Sequence, residues 1–375
     1  MSRLIQAVLL LLATGCSQIL PSSNNAVAGP ADPSRAPGRL KAFPSAYGAG
    51  AYVTTGGRGG RVVAVTRLDD ARDVANEPVP GTLRYALSRQ EPRTVVFRVS
   101  GTIVIGDTDG DGVADGSKML ALEGSTTRDY SHLTVAGQTA PAGGITIKGH
   151  IYLDQVQNMI WRYVRVRHEV EFSKFDAITI NNTRHVVLDH LSVSYGSDEG
   201  TSVSNNRGAH YPSDGISIQY CLFAENKTGH ILGAINPVIM GGEMSYHNNF
   251  TANTTHRFPN TAADGRYEVI NNLVYNWKFR LLNVVNSPRL NHINNHYKVG
   301  GAIRSHYGTT GEYGRVLHKM NLSVTSTASI YTAGNYITGF LTDPEADNWR
   351  SWSIFITANG YSEDDPVPKT LQSKA

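Results

Sequence analysis

Three Asn-Asn pairs recur along the chain at a constant spacing of 23 residues: Asn248-Asn249, Asn271-Asn272 and Asn294-Asn295. Each pair follows a run of β-forming residues and precedes an apolar or aromatic residue. A fixed period of this length indicates stacked structural repeats. If each repeat is one coil of a parallel β-solenoid, residues at one phase stack at a strand spacing of about 4.8 Å, and neighbouring amides form a hydrogen-bonded ladder. Asn321-Leu322 is expected to continue this phase after a small insertion.

Short runs rich in Val, Ile, Thr and aromatic residues predict β-strands along most of the chain. They lie at 94–105, 132–135, 144–148, 159–167, 177–180, 185–195, 216–223 and 267–275. The one competing helical pattern is short and spans 81–89. A sandwich or barrel would need antiparallel hairpins, and the fixed period and the absence of two-residue Asn-Gly loops argue against them. The prediction is therefore an all-β parallel solenoid.

Length and charge narrow the possible classes of protein. The chain has 375 residues, with 34 Lys and Arg against 31 Asp and Glu and a formal net charge of +3. Because solenoids grow by adding coils, this length fits one elongated domain. No basic run or tail indicates a nucleic-acid partner or an electrostatic membrane contact. Partners must therefore be inferred from candidate sites, and we expect a monomer.

The N-terminus has the pattern of an export signal. Arg3 precedes an apolar run at 4–13 that is too short to span a bilayer and ends in small residues before Cys16. The sequence LATGC that ends at Cys16 resembles a bacterial lipobox, whose Cys becomes lipidated. An ordinary secretory signal with a chance Cys is the alternative. The protein is expected to be exported, as an outer-membrane lipoprotein or as a periplasmic or extracellular protein, with Cys16 as its only membrane attachment.

The remaining chain divides into a tether and one folded domain. Residues 1–16 are assigned to the signal, and 17–41, rich in Ser, Pro, Ala and Gly, to a flexible tether. Residues 42–375 are assigned to the solenoid domain. Cys221 is the one Cys of that domain, so it has no intramolecular disulfide partner there, and a buried, inert thiol is expected.

The stretch 107–115 has the spacing of a calcium loop. Carboxylates stand at positions 1, 3, 5 and 9, with Gly where a tight loop needs it: Asp107, Asp109, Asp111 and Asp115. Lys118 stands where an EF-hand has its bidentate Glu, so a complete EF-hand is excluded, and the stretch resembles the shorter loops of extracellular calcium-binding repeats. Four carboxylates this close repel one another without a cation. We predict structural Ca²⁺ in an insertion at 106–118, away from any catalytic chemistry.

Longer motifs, taken together, identify a family. They are FPSAYGAGAYVTTGGRGG at Phe43, VTRLDD at Val65, GTLRYAL at Gly81, RTVVFRVSGTI at Arg93, LTVAGQTAP at Leu133, VVLDHLSVSYGSDE at Val186, GNYITG at Gly334 and DNW at Asp347. This series resembles the pectate lyase family, polysaccharide lyase family one, and particularly its bacterial branch that opens with a Gly-rich N-terminal cap. The resemblance implies a right-handed single-stranded parallel β-helix, β-elimination of uronate polysaccharides and Ca²⁺ as cofactor.

Candidate calcium ligands follow from that chemistry. Removing the C5 proton of a 4-linked uronate requires neutralisation of the C6 carboxylate, which a hard divalent cation held by carboxylate oxygens can provide. The candidates are Asp176, Asp198 and Glu199, with Asp189 as a further one. In the family, the place of Asp176 carries a calcium ligand, usually with a second Asp two residues earlier, where this chain has Lys174. The alternatives are a structural cap at Asp176 and a solvated turn at Asp198 and Glu199.

The resemblance also assigns a catalytic base. The sequence HRFP at His256 resembles the family's R-x-P segment, whose Arg takes the C5 proton, so Arg257 is the expected base. His256 is the rival, because its unperturbed pKa is near 6.5. Lys227 fits the family's Lys that pairs with a substrate carboxylate. Asp189-His190 is mainly structural in the family.

Three further Arg residues are expected to bind substrate. The family often has a second Arg shortly after the Pro of R-x-P, and Arg266 is expected to replace it here. Arg165 and Arg167 are two apart in one predicted strand and share a face, so they are expected to line a groove for an acidic chain. A hydrated sheet surface is the alternative for this pair.

The sequence thus predicts a lyase that cleaves pectate or a related polyuronate. A catalytically impaired β-helix glycan-binding protein is one alternative, consistent with Lys174 and the missing second Arg. A lyase for a different uronate polymer is another. A β-helix glycoside hydrolase is disfavoured, because nothing in the chain resembles the paired acid and base carboxylates of that chemistry.

Overall fold

The computed structural model describes residues 40–168, 175–205, 213–233, 242–262, 264–302, 317–321, 327–356, 366–367 and 369–373. The predicted signal, the tether before Leu40, and Lys174 lie outside these residues. Leu40–Ala375 forms one compact unit. None of the helices in the described ranges is long and apolar enough to cross a bilayer.

The described residues form three sheets, and each coil adds one strand to sheet A, then to sheet B, then to sheet C. Sheet A contains β1 (Arg61–Val65), β2 (Arg93–Phe97), β5 (Leu133–Ala136), β8 (Gln157–Arg162), β11 (Arg184–Asp189), β14 (Asp214–Gln219), β17 (Glu243–His247), β20 (Arg266–Ile270), β23 (Arg289–Ile293) and β26 (Ser329–Ala333). Sheet B contains β3 (Gly101–Val104), β6 (Ile145–Lys148), β9 (Val164–Arg167), β12 (Ser192–Ser194), β15 (Leu222–Ala224), β18 (Phe250–Ala252), β21 (Leu273–Tyr275), β24 (His296–Lys298) and β27 (Tyr336–Ile337). Sheet C contains β4 (Met119–Glu123), β7 (His150–Asp154), β10 (Ile178–Asn181), β13 (Glu199–Ser204), β16 (Thr228–Leu232), β19 (Asn260–Thr261), β22 (Asn283–Val285), β25 (His318–Asn321) and β28 (Trp352–Ile356).

These strands make nine coils over the described residues, preceded by β1. Neighbouring coils pair in parallel, with equivalent residues in register. The predicted right-handed parallel β-helix is confirmed. Each of the eight predicted strand runs overlaps one or two of these strands.

The interior is built by residues that stack from coil to coil. Alternate residues of a strand point to one face. In sheet A, Val95, Val135, Trp161, Leu188 and Ile218 are consecutive in register and buried. Full burial of side chains of this size contributes about 1.5 to 3 kcal/mol each. Leu188→Ala, which also leaves a cavity, is expected to cost about 2 to 5 kcal/mol.

The helix expected at 81–89 is present as α1 (Leu83–Ser88). Thr82 is its N-cap, and the Thr82 hydroxyl accepts a hydrogen bond from the backbone N–H of Tyr85 at 3.1 Å. The inner side of α1, including Leu87, is buried against the first coils. Short 3-10 helices occur at Gly137–Thr139, Asn348–Ser351 and Lys369–Leu371.

The second Asn of each pair forms the predicted ladder at the turn from sheet A to sheet B. Asn249 Nδ2 donates to Asn272 Oδ1 at 3.2 Å, and Asn272 Nδ2 donates to Asn295 Oδ1 at 2.9 Å. The first Asn of each pair has a left-handed backbone, with φ between 54° and 56°, which turns the chain. The ladder continues at Asn335, 40 residues after Asn295. The prediction for Asn321 is wrong, because an insertion lengthens this coil and places Asn321 in sheet C.

Cys221 extends the ladder by one coil toward the N-terminus. Its backbone N–H donates to Asn249 Oδ1 at 2.9 Å, and its Sγ accepts from the backbone N–H of Leu191 at 3.4 Å. Burial raises the pKa of the Cys221 thiol. The expected burial of the Cys221 thiol is therefore confirmed.

The Gly-rich segment at 40–60 packs across the outer face of sheet A. The backbone N–H of Gly57 donates to Thr134 Oγ1 at 3.0 Å. A Cβ at Gly57 would lie 1.8 Å from the carbonyl oxygen of Arg93, so only Gly allows this approach. The segment therefore covers the side of the solenoid at this sheet.

Candidate functional site

The turns from sheet B to sheet C carry most of the residues predicted to be functional. They follow one another along the B–C edge: the loop 107–115 in the first coil, Asp176 in the third, Asp198 and Glu199 in the fourth, Lys227 in the fifth and Arg257 in the sixth. Strands of adjacent coils are about 4.8 Å apart. Residues far apart in the sequence therefore meet at this edge.

Arg257 faces the two acidic residues of the fourth coil. Its Nη1 contacts Glu199 Oε1 and lies 3.9 Å from Asp198 Oδ1. The side chain of Glu199 is 4% exposed and that of Asp198 is 40% exposed. The contact with Glu199 is therefore the less screened of the two ion pairs.

The backbone of Arg257 has an uncommon conformation and packs closely against the fifth coil. Arg257 has a φ of 72°, which is uncommon for a residue with a side chain. Its carbonyl oxygen accepts a hydrogen bond from the backbone N–H of His230 at 2.7 Å. A Cβ at Gly229 would lie 1.9 Å from the same oxygen. The fifth coil therefore needs Gly at position 229 to let the Arg257 turn approach.

Asp176 lies beside Glu199 with both carboxylate oxygens engaged. Oδ1 accepts from the backbone N–H of Glu199 at 3.1 Å, and Oδ2 accepts from Thr179 Oγ1 at 2.7 Å. Burial raises the pKa of Asp176 to about 7, and the charge of Asp198 adds to this, while Thr179 and Arg257 oppose it. Asp176, Asp198 and Glu199 offer carboxylate oxygens, the donor chemistry that suits Ca²⁺, although their oxygens do not converge within 4.8 Å as those of the acidic loop do.

Lys227 and His256 lie in the next two turns of the B–C edge. Lys227 is exposed, and its carbonyl oxygen accepts a hydrogen bond from Thr255 Oγ1. His256 Nδ1 lies 2.9 Å from the same hydroxyl oxygen. Burial lowers the pKa of His256 to about 4, with Arg280 adding to the shift and Asp198 opposing it. The imidazole is therefore neutral near pH 7 and weakly basic.

Arg280 was missed by the sequence reasoning. It follows Arg257 by one coil, and 280 − 257 gives the same 23 residues that separate the Asn pairs. Burial and the charge of Arg257 lower the pKa of Arg280. The backbone N–H of Phe279 donates to the carbonyl oxygen of Thr255 at 2.8 Å, which joins the two turns. Applying the 23-residue period to Arg257 would have found this residue.

Arg165 and Arg167 lie on the outer face of β9 in sheet B. Arg165 Nε donates to Thr146 Oγ1 at 2.8 Å. Arg167 Nη2 donates to Ser192 Oγ at 2.9 Å. The pair shares a face, as expected from its spacing, and these bonds direct both side chains along sheet B.

Two predicted residues lie at other edges of the solenoid. Arg266 begins β20 in sheet A, and its Nη2 contacts Glu243 Oε1. Asp189 ends β11 in sheet A, fully buried, and accepts hydrogen bonds from Arg162 Nε at 2.7 Å and Gln219 Nε2 at 2.6 Å. The predictions of a substrate contact at Arg266 and a calcium ligand at Asp189 are therefore corrected, because neither residue reaches the B–C edge.

The acidic loop brings together three of its four predicted ligands. One carboxylate oxygen from each of Asp107, Asp109 and Asp115 lies within 4.8 Å of the other two, the one such group in the described ranges. Asp111 stands outside this set, and its Oδ1 accepts from the backbone N–H of Val113 at 2.7 Å. The loop shares the B–C edge with Asp176 and precedes it by two coils.

A family model and the curated relatives of this chain carry the same description. The family model described as pectate lyase matches residues 120–342. The chain is 34% identical over 240 residues to a probable pectate lyase C of Emericella nidulans and 34% identical over 240 residues to one of Aspergillus terreus. Each match covers 64% of this chain and 48% of the relative. The chain thus spans about half the length of the curated relatives it matches.

Solved structures share the fold at lower identity. The cedar pollen allergen jun a 1 aligns with a TM-score of 0.59 and 18% identity, covering 88% of each chain. A pectate lyase from Acidovorax avenae subsp. citrulli aligns with a TM-score of 0.55 and 14% identity, covering 92% of this chain and 95% of the other. A pectate lyase from Bacillus sp. N165, solved with trigalacturonate, aligns with a TM-score of 0.50 and 18% identity, covering 84% and 93%.

Proposed function

Because the chain belongs to the pectate lyase family, we propose that it cleaves pectate or a related polyuronate by calcium-assisted β-elimination. The observation that carries this proposal is the contact of Arg257 with Glu199, beside Asp198, at the B–C edge. It joins the expected base to the expected calcium ligands. The Bacillus sp. N165 pectate lyase was solved with trigalacturonate, a uronate chain, which supports the substrate class.

The proposed reaction uses a cation and a base. Asp176, Asp198 and Glu199 would hold Ca²⁺, which supplies the positive charge that neutralises the C6 carboxylate. Arg257 takes the C5 proton. The electrons of the C5–H bond form the C4–C5 double bond while the C4–O bond breaks, and the leaving oxygen takes a proton from solvent. Since a guanidinium is protonated at neutral pH, this role requires activity that rises into alkaline pH.

Lys227 and Arg280 would bind carboxylates of the sugar chain on either side of the Arg257 coil. Charge-assisted hydrogen bonds of this type contribute about 1.5 to 3 kcal/mol each. Arg280 takes the part first expected of Arg266, because it lies one coil beyond Arg257 on the same edge. Arg165 and Arg167 remain candidates for contact with a longer polymer on sheet B.

The proposal also includes a structural calcium site and the location of the protein. Asp107, Asp109 and Asp115 would bind a structural Ca²⁺, with the Asp111 side chain supporting the loop. The protein would be an exported monomer of the bacterial branch, held to a membrane by a lipid at Cys16 or released.

A panel of polyuronates tested with and without Ca²⁺ checks the function. The product to measure is the 4,5-unsaturated sugar end, by its ultraviolet absorbance. We expect calcium-dependent product from pectate. Polymer binding without product would favour a glycan-binding protein instead. Product from a different uronate alone would keep the lyase chemistry and change the substrate.

A further inference from the structure

Asp176 is anchored by a chain of hydrogen bonds that starts in the preceding coil. Thr179 Oγ1 donates to Asp176 Oδ2 at 2.7 Å. His150 Nε2 lies 2.9 Å from the same Thr179 oxygen. Because the single hydroxyl proton of Thr179 is directed at Asp176, the hydroxyl accepts its second bond from a proton on His150 Nε2. The order of donation is therefore from His150 to Thr179 to Asp176.

His150 is a fixed starting point for this chain. It is 4% exposed, and the rings of Tyr152, His168 and Phe175 surround it at centroid distances of 5.9, 5.9 and 5.5 Å. Burial, together with His168, lowers the pKa of His150 to about 4, so it remains a neutral imidazole near pH 7. Because the His150 ring is packed and neutral, it keeps one tautomer and one orientation. It therefore fixes the direction of the Thr179 hydroxyl, which in turn fixes the direction of the Asp176 carboxylate.

The carboxylate of Asp176 depends on such support. It lies in the turn before β10, outside the strand pairing of sheet C. From the described residues, each of its oxygens accepts one hydrogen bond, from the backbone N–H of Glu199 and from Thr179. A carboxylate has about four acceptor positions. With these donors, each oxygen keeps capacity to bind a cation while its direction is fixed by the protein.

We propose that Thr179 and His150 are positioning residues that orient the Asp176 carboxylate for the divalent cation. This inference rests on the proposed calcium role of Asp176 and deepens it. Neither side chain would touch the cation or the substrate. Hydrogen bonds that orient a metal ligand in this way commonly change metal affinity by about 10- to 100-fold when removed.

Calcium affinity, measured by calorimetry with calcium chloride, tests the inference. All variants carry Asp109→Ala so that the acidic loop does not contribute to the signal. Thr179→Val removes the hydroxyl with little change of volume and is expected to weaken calcium binding about 10-fold or more. Thr179→Ser restores the hydroxyl and should lie closer to the parent. His150→Phe keeps the ring packing, removes the donor to Thr179, and should weaken binding in the same direction.

The outcomes separate this inference from the function on which it rests. Asp176→Ala is the reference for complete loss of the ligand. Weak binding by Asp176→Ala together with equal affinities for Thr179→Val and Thr179→Ser would overturn the positioning role and leave the calcium role intact. Parent-like affinity of Asp176→Ala would instead overturn the calcium role itself. Circular dichroism of each variant is the control that it is folded.

Discussion

Arg257 of the sixth coil contacts Glu199 of the fourth coil across the turn of the fifth. The contact is possible because Gly229 in the intervening coil has no Cβ to meet the Arg257 carbonyl. A side chain from one turn thus meets a carboxylate that precedes it by 58 positions, 257 − 199, in the sequence. The relationship places the expected base beside two of the expected calcium ligands, Asp198 and Glu199.

Arg280→Ala is expected to lower kcat/KM on pectate by about 10- to 100-fold, from the loss of one charge-assisted contact of about 1.5 to 3 kcal/mol. Steady-state kinetics measures this loss. Arg266→Ala is the matched control, because Arg266 pairs with Glu243 on sheet A and should leave kcat/KM unchanged. A larger loss for Arg266→Ala than for Arg280→Ala would reverse the assignment.

The two acidic sites are expected to have separate roles. Asp109→Ala should lower the melting temperature measured in calcium and spare turnover at low temperature, because its carboxylate belongs to the loop cluster. Asp176→Ala should abolish turnover with little change of melting temperature, because Asp176 lies beside Glu199, which contacts the expected base Arg257. The opposite pair of results would mean that the structural and catalytic sites have been exchanged.

Asn272→Leu is expected to destabilise the solenoid through its two ladder neighbours. Asn272 accepts from Asn249 and donates to Asn295, so both lose a buried amide partner. The expected cost is about 1 to 3 kcal/mol per orphaned group, measured by denaturant unfolding. Asn291→Leu, at an exposed position of β23, is the control. Equal effects of the two changes would refute the ladder's contribution.

Acid should unfold the protein through its interior histidines. Burial lowers the pKa of His230 to about 3 and that of His292 to about 3. In the unfolded chain each of these histidines becomes protonated near pH 6.5. In the folded chain the same histidine becomes protonated only near pH 3. The free energy of unfolding should therefore be highest above pH 6.5 and fall below it, by up to about 1.4 kcal/mol per pH unit for each His.

The pH dependence is measured by denaturant unfolding at a series of pH values. His230→Gln should reduce the proton uptake on unfolding between pH 6.5 and 4 by one proton, and His292→Gln should do the same. An unchanged slope in both variants would show that other groups control the acid transition.

The period of the Asn pairs predicts the fold because one residue type fills one phase of the coil. Asn249, Asn272 and Asn295 keep the 23-residue spacing, and the ladder follows. The period no longer applies where an insertion changes the coil length. Asn335 is 40 residues beyond Asn295, so Asn321 was assigned to a phase that it does not occupy.

The sequence predicts only part of the candidate site, because local motifs do not reveal which residues stack on one another in neighbouring coils. Motifs identify Asp176 and Arg257, because each stands in a local sequence that resembles the family. Arg280 stands in no such motif, and its place beside Arg257 follows from coil stacking. Arg266 was chosen by its closeness to Arg257 in the sequence, although nine residues carry the chain through sheet C and around to sheet A. Two side chains of a solenoid are close when they lie at the same edge in neighbouring coils, as Arg257 and Arg280 do, and not because they are close in the sequence.

The central claim is that Arg257 takes the C5 proton, and the pH–rate profiles of Arg257→Lys and His256→Ala on pectate in calcium test it most directly. Arg257→Lys should lose about 100- to 10,000-fold in kcat while it still binds polyuronate. His256→Ala should keep most activity, and the parent rate should rise into alkaline pH. A near-parent rate for Arg257→Lys together with a large loss of rate for His256→Ala would contradict the assignment and move the base to His256.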